Sequence, residues 1–216
     1  MKTAPGKAAA FDVKALRAQY PALENTIQGK ALVYLDSACT ALKPRCVAER
    51  LSDITLNWGG CGGKRSTHLL SQQAETWFSA ARRAVMDFLN AERAEEIVFT
   101  SGTTESVNLV ARSFPYAAER REVVVTALEH NSVLLPFCEA AERGEIIVKV
   151  CPVKDDGPDL AAMERLITRK TALVAMAHSS NVIGGAFPVT KVARMAHSAG
   201  AKLLVDPFHP EASYII

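Results

Sequence analysis

The second half of the chain most constrains its fold: the apolar runs EVVVTA (122–127), EIIVKVC (145–151), TALVAMAH (171–178) and AKLLVD (201–206) alternate with helix-patterned segments. The runs are nearly continuous in Val, Ile, Leu and Ala rather than alternating with polar residues. Strands that read this way are buried on both faces, which requires helices above and below a mostly parallel sheet. Helices are predicted over 104–113, 131–143, 159–168 and 188–199, with Gly200 as the stop before the final strand. Upstream, strands are predicted at EIVFT (96–100) and ALVYLDSA (31–38). A helix over 45–57 carries Val47, Leu51 and Ile54 on one face. A second, from Glu75 to Asn90, carries a stripe of Trp77, Phe78, Ala81, Val85, Phe88 and Leu89. The fold class expected is α/β: a three-layer α/β/α arrangement around a mostly parallel sheet. Residues 1–30, with Val13, Leu16 and Tyr20 on an amphipathic piece, read as an N-terminal arm or short helix, and 31–216 as part of one larger domain.

Charge and composition exclude some classes. A net charge of +2 with no Lys/Arg stripe gives no footprint for nucleic acid. No apolar run reaches the roughly 20 residues of a membrane span, and the first residues lack a signal-peptide core, so the expectation is a cytoplasmic protein. Five cysteines (Cys39, Cys46, Cys61, Cys138, Cys151) form no CxxC pair and have no ligand-like spacing with histidine. That reads as free thiols, with no metal site. The loop GGCGGKRST superficially resembles a P-loop but fails its pattern, since Trp58 stands where a glycine is needed and Arg65 follows Lys64. Cys61 in this loop reads as a reactive thiol or, more plainly, an incidental one.

In open α/β sheets ligands collect beyond the carboxyl ends of the strands, so the residues there belong together. TSGTTES places Gly102 in a tight turn, with Thr103 and Thr104 opening a helix, which makes either a phosphate cradle or a simple N-cap. ALEHNS puts His130 after the next strand, as a ring-stacking group, an acid or base, or a helix cap. HSSNVIGG puts His178 at a strand end and Asn181 in the loop, where Asn is commonly a turn former. Asp206 ends the last buried run, with Pro207 and Pro210 unlike a normal helix start. A phosphate cradle, an imidazole, an amide and an acid together suit a phosphorylated pyridine, whose ring nitrogen an acid keeps protonated. The cofactor indicated is pyridoxal 5'-phosphate (PLP).

The motifs VYLDSACTALKP, RSTHLLS, IVFTSGTTESVNLVA, LEHNSVLLPF, AHSSNVIGGAFPV and AGAKLLVD, collinear from about residue 31 to Asp206, resemble the class V aminotransferase family of fold type I PLP enzymes, cysteine desulfurase and selenocysteine lyase type. The resemblance implies that Gly102, Thr103 and Thr104 bind phosphate and that His130 stacks on the ring. It further implies that Asn181 lies near the phenolic oxygen and that Asp206 partners the ring nitrogen. His209 takes the place of the family's glutamine beside that oxygen. Lys64, Arg65 and Ser66 replace the His-Arg-Gly run common in desulfurases.

The resemblance also implies that the Schiff-base lysine, the substrate-carboxylate arginine and the persulfide cysteine lie beyond the last residue. The expectation is then an N-terminal part of the major domain without its catalytic lysine, with PLP noncovalent at best. Lys170, Lys191 and Lys202 sit away from the strand tips, which leaves Lys64 the nearest substitute. Such a chain is expected to be weak or inactive alone, with exposed strand edges, and its SYII ending reads like an altered frame. The alternatives are half of a split enzyme completed by a C-terminal partner chain, or a noncatalytic binding protein that keeps the fold. A small amino-acid substrate and a homodimer are implied by the resemblance alone.

Overall fold

The computed structural model describes residues 12–63, 65, 67–207 and 214–215, the last two by backbone alone. His209, Lys64 and Ser66 lie outside the described residues, as does the start of the N-terminal arm. The chain divides into two compact units between Val98 and Phe99.

In the first unit, Asp12 caps α1 (Val13–Arg17), its carboxylate accepting the Lys14 and Ala15 amides at 2.9 and 3.1 Å. A 3-10 turn over Pro21–Glu24 leads to a hairpin of β1 (Thr26–Ile27) and β2 (Lys30–Ala31). Its two turn residues, Gln28 and Gly29, both take positive φ (53° and 74°), as a twisted two-residue hairpin requires. The strand expected over 31–38 stops at Ala31, and Val33 and Leu35 are exposed. Only β1 offers that segment a ladder, and β1 is two residues long.

Helix α2 (Arg45–Asn57) has the predicted bounds, whereas α3 (Leu69–Leu89) begins a turn and a half before the predicted Glu75. Its first turns, Leu-Leu-Ser-Gln-Gln-Ala, precede the regular apolar stripe that begins at Trp77. The apolar faces predicted from spacing exist, but no residue of α2 is buried and in α3 only Ser71 is. Between the two helices Trp58 and Trp77 meet edge to face at 4.9 Å, with Arg50 over the Trp77 ring at 4.0 Å.

Gly60 lets the loop pass close to α3: a Cβ there would lie 2.5 Å from the Leu70 carbonyl carbon and oxygen. Backbone cannot yield as a flexible side chain can. Gly60→Ala is therefore expected to cost about 1–3 kcal/mol in urea unfolding. Gly59→Ala, whose Cβ meets nothing within 4 Å, serves as the neutral control.

The second unit is the α/β body. It contains α4 (Thr103–Ser113), β3 (Glu122–Thr126), α5 (Asn131–Glu142) and β4 (Ile147–Cys151). A small hairpin of β5 (Val153–Lys154) and β6 (Gly157–Pro158), unforeseen in the sequence, precedes α6 (Leu160–Leu166). Then come β7 (Thr171–Ala177), α7 (Val189–Ser198), β8 (Lys202–Asp206) and β9 (Tyr214–Ile215). The sheet order is β4-β3-β7-β8-β9, parallel from β4 to β8. The predicted α/β class and mostly parallel sheet are thus what the chain forms.

Residues on alternate sides of each strand feed different layers. Val123, Val125, Leu173, Ala175 and Leu204 pack with Val107 and Ala111 of α4 and Val133, Phe137 and Ala140 of α5. Val124, Val174, Leu203 and Val205 pack on the other side with Met163 of α6 and Val192 and Ala196 of α7. The layers are therefore α4/α5, sheet, and α6/α7.

One strand expectation needs correction. Residues 97–100 run without a ladder: extended backbone becomes a strand only where a neighbouring strand pairs with it, and among the described residues none does. Exposed strand edges were expected without naming a strand; β8 is not such an edge, since β9 pairs antiparallel with it at Leu204↔Ile215 and Val205↔Tyr214. Exposure falls instead on β4, an edge strand with Ile147 and Val150 in solvent.

Gly200 (φ 75°) ends α7 as predicted, with its amide donating to His197 and that of Ala201 to Ala196, both at 2.8 Å. Arg120 secures this corner by donating to the carbonyls of Thr171 (2.8 Å) and Ala199 (3.2 Å).

Candidate functional site

From β3 the chain moves outward to β4, then crosses back over β3 to place β7 on its other side. The β3/β7 boundary is thus the topological switch point, where helices leave for opposite faces and a crevice opens at the carboxyl ends. The predicted site residues His130, Asn181 and Asp206 follow the carboxyl ends of β3, β7 and β8, which share one edge because those strands are parallel.

Asp206 is 4% exposed and level with Ala177 in the β7–β8 register. Its carbonyl accepts the His178 amide at 2.7 Å, which extends the ladder one residue beyond β7. Alternation along β8 puts Asp206 on the same face as Leu204, the face that α4 and α5 cover. An acid kept from water at a strand tip needs a cationic or hydrogen-bonding partner to stay ionised.

The turn before α4 is organised by its own polar groups. Thr100 Oγ1 lies 2.7 Å from Ser106 Oγ, and the Ser101 amide donates to Glu105 Oε2 at 2.6 Å. The Ser101 hydroxyl and amide hold the Glu105 carboxyl below its ordinary range. They also turn this acid back towards Ser101. Gly102 takes φ 154°, ψ 178°, a conformation open to glycine, and no side chain caps the amides that follow. With Thr103 half-buried and Thr104 exposed, the mouth of α4 presents N–H donors and hydroxyls suited to a phosphate.

His130 is exposed and caps α5: its Nδ1 accepts the Ser132 amide at 3.2 Å and lies 2.8 Å from the Ser132 hydroxyl. The capping reading left open by the sequence is therefore realised. With Nδ1 accepting, the proton resides on Nε2. Asn181 is exposed in the loop after β7, which Ser180 shapes by accepting the Val182 and Ile183 amides at 3.2 and 3.3 Å.

One residue of this edge escaped the sequence reading. Glu129, just before His130, accepts the Thr126 hydroxyl at 2.6 Å and the Ala177 amide at 3.0 Å through Oε1. It thereby bridges the tips of β3 and β7. Oε2 is buried without a hydrogen-bond partner among the described residues. Burial, and to a smaller degree the charge of Asp206, raise this carboxyl to about 7, against hydrogen bonds from Thr126 and Ala177 that lower it. The available signal was an acid directly after a buried strand.

Among the described residues no cluster of His, Cys, Asp or Glu could hold a metal ion, and no helix is long and apolar enough to cross a membrane. All five cysteines are unpaired thiols.

A three-layer α/β body with an acid at a strand tip and an uncapped helix mouth on one face is the layout of a nucleotide- or cofactor-binding α/β protein. The chain belongs to the class V aminotransferase family, whose pattern matches residues 33–208. It is 37% identical over 199 residues to a cysteine desulfurase of Dickeya dadantii, covering 91% of this chain and 48% of the relative. A probable cysteine desulfurase of Halalkalibacterium halodurans is 38% identical over 200 residues, again covering 91% and 48%. Among solved structures, the Escherichia coli cysteine desulfurase CsdA superposes with TM-score 0.77 at 36% identity, covering 92% of this chain and 49% of that one. The apo cysteine desulfurase of Thermococcus onnurineus gives 0.80 at 32%, covering 92% and 48%. The chain spans about half the length of the relatives it matches. The family is pyridoxal-phosphate-dependent.

Proposed function

We propose that this chain supplies the phosphate cradle and the ring-nitrogen acid of a PLP site in a cytoplasmic, cysteine desulfurase-like enzyme acting on a small amino acid. On this reading residues 31–216 are the N-terminal part of the major domain, preceded by an arm over 1–30. The observation that carries the proposal is Asp206: buried, at the tip of β8, and on the face that α4 and α5 cover. The Gly102–Thr104 mouth of α4 would take the phosphate. Asp206 would face the ring nitrogen, His130 would lie over the ring, and Asn181, with His209, would approach the phenolic oxygen. The cofactor supplies an electron-withdrawing ring that weakens a bond at the carbon attached to it. The residues named here hold and orient it. Lys170 and Lys202 lie at the amino-terminal ends of β7 and β8, and Lys149 is paired with Glu122 at 2.7 Å. On this reading binding in this chain is noncovalent and its activity alone weak.

Titration with PLP, followed by cofactor absorbance, tests the reading. Asp206→Asn is expected to weaken binding about 10–100-fold, the cost of removing a charge-assisted partner from a buried site. Borohydride treatment should leave no pyridoxyl-lysine. Equal affinity of the two proteins, or no binding at millimolar cofactor, would overturn the assignment.

A second reading, completion by a partner chain or a second copy, is favoured by one observation. Leu51, Leu56 and Phe88 in the first unit are 66%, 78% and 73% exposed. Apolar exposure on that scale suits a surface that another chain covers.

A further inference from the structure

We propose that Glu129 is a positioning residue for Asp206: by tying the tips of β3 and β7 together through one oxygen and holding the other buried, it sets the place and the charge state of the carboxylate at the end of β8. The proposal rests on the PLP reading for its consequence but not for its geometry.

Three observations converge on this role. The bridge to Thr126 and Ala177 spans the switch-point crevice itself, so Glu129 forms the floor on which a ligand at this edge would sit. Ala177 is the register partner of Asp206, so the amide that Glu129 engages belongs to the residue beside Asp206 in the sheet. Oε2 is enclosed with no donor to it among the described residues, an arrangement that suits a protonated carboxyl and penalises an ionised one.

The charged neighbour that acts on Glu129 is Asp206, from β8, while its hydrogen-bond partners on β3 and β7 carry no charge. His130 turns Nδ1 to Ser132, and Cys151, at the tip of β4, gives its thiol to the Pro152 and Asp159 carbonyls.

Carboxyls that act on one another electrostatically, as Asp206 acts on Glu129, do not ionise independently. While Glu129 carries the proton it places no second negative charge beside Asp206. As Glu129 ionises, a second negative charge enters a poorly solvated edge and the bridge to Thr126 and Ala177 tightens. The acid thereby links the charge state of the edge to pH near neutrality.

The test begins on the full chain without cofactor, by carboxyl-carbon NMR titration of wild type, Glu129→Gln, Glu129→Ala and Asp206→Asn. Glu129 is expected to titrate near neutrality. In Asp206→Asn its midpoint should fall yet stay above the ordinary carboxyl range, because burial is the larger cause. In Glu129→Gln the Asp206 midpoint should move to lower pH. PLP titration follows: Glu129→Gln, which keeps an acceptor for Thr126 and Ala177, should bind within about threefold of wild type. Glu129→Ala should bind about tenfold more weakly. An ordinary Glu129 midpoint, or an Asp206 titration indifferent to Glu129, would overturn the proposal, as would equal binding by the Ala and Gln variants. If coupling is present but wild type binds no PLP, the positioning role stands and the cofactor reading falls.

Discussion

Phe137→Ala is expected to lower the unfolding free energy by about 3–5 kcal/mol, a large share of the roughly 5–15 kcal/mol that holds a domain folded. Phe137 is fully buried in α5, within the cluster that joins α4 and α5 to the sheet through Val123, Val125, Leu173 and Leu204. Truncating the ring leaves a cavity between a helix and the buried strands β3 and β7, neither of which can collapse without losing its ladder. Urea unfolding checks the value. Leu135→Ala, one turn face away and 54% exposed, should cost under about 1 kcal/mol. Comparable losses at both positions would mean that α5 is not seated on the sheet by this face.

Raising the pH from about 4 to about 8 is expected to destabilise the native chain, relative to Glu129→Gln, by about 3 kcal/mol. The Glu129 carboxyl is raised from 4.5 to about 7 in the folded chain, burial being the main cause. Below 4.5 it is protonated in both states and contributes its full stability. Between 4.5 and 7 the unfolded chain ionises first and gains, so stability falls until the folded carboxyl ionises as well. Glutamine cannot titrate, and its stability carries no such loss. Other acids run the opposite way. At Glu122, burial opposes ionisation, but hydrogen bonds from Lys149 and Thr168 outweigh it and leave that carboxyl below its ordinary range. Glu122 is common to both proteins, and its contribution cancels in the difference. Parallel stability curves across this window would show that the Glu129 carboxyl titrates alike in the folded and unfolded chains, without the upward shift.

Much of the α/β body was legible because its signals are local. Continuous Val, Ile and Leu runs at β3, β7 and β8 can be satisfied only between two layers, and those strands are the buried ones. Gly200 marked the end of α7 through its own backbone freedom, and α5 runs through Pro136 much as its apolar spacing predicts. The failures involve partners. Residues 97–100 and 32–38 have strand-like composition, but a ladder needs a neighbouring edge, and composition does not reveal whether one is open. The apolar faces of α2 and α3 were legible as faces, but spacing does not say what covers them, and in the fold only Ser71 of the two helices is buried.

The candidate site divides in the same way. Gly102, His130 and Asp206 announced themselves by chain position, after a turn or at the end of a buried run. Glu129 did not, because its significance lies in a bridge to Ala177, 48 residues away, and in the burial of one oxygen. Sequence by itself determined the periodicities, the helix stops, the layer class and the family, since each is written in short-range spacing or in collinear motifs. Only the tertiary structure decided which strands are neighbours, which face Asp206 shares with α4, and which acid is driven towards neutrality. Pairing and desolvation depend on residues brought together by the fold, and that proximity has no local signature in the chain.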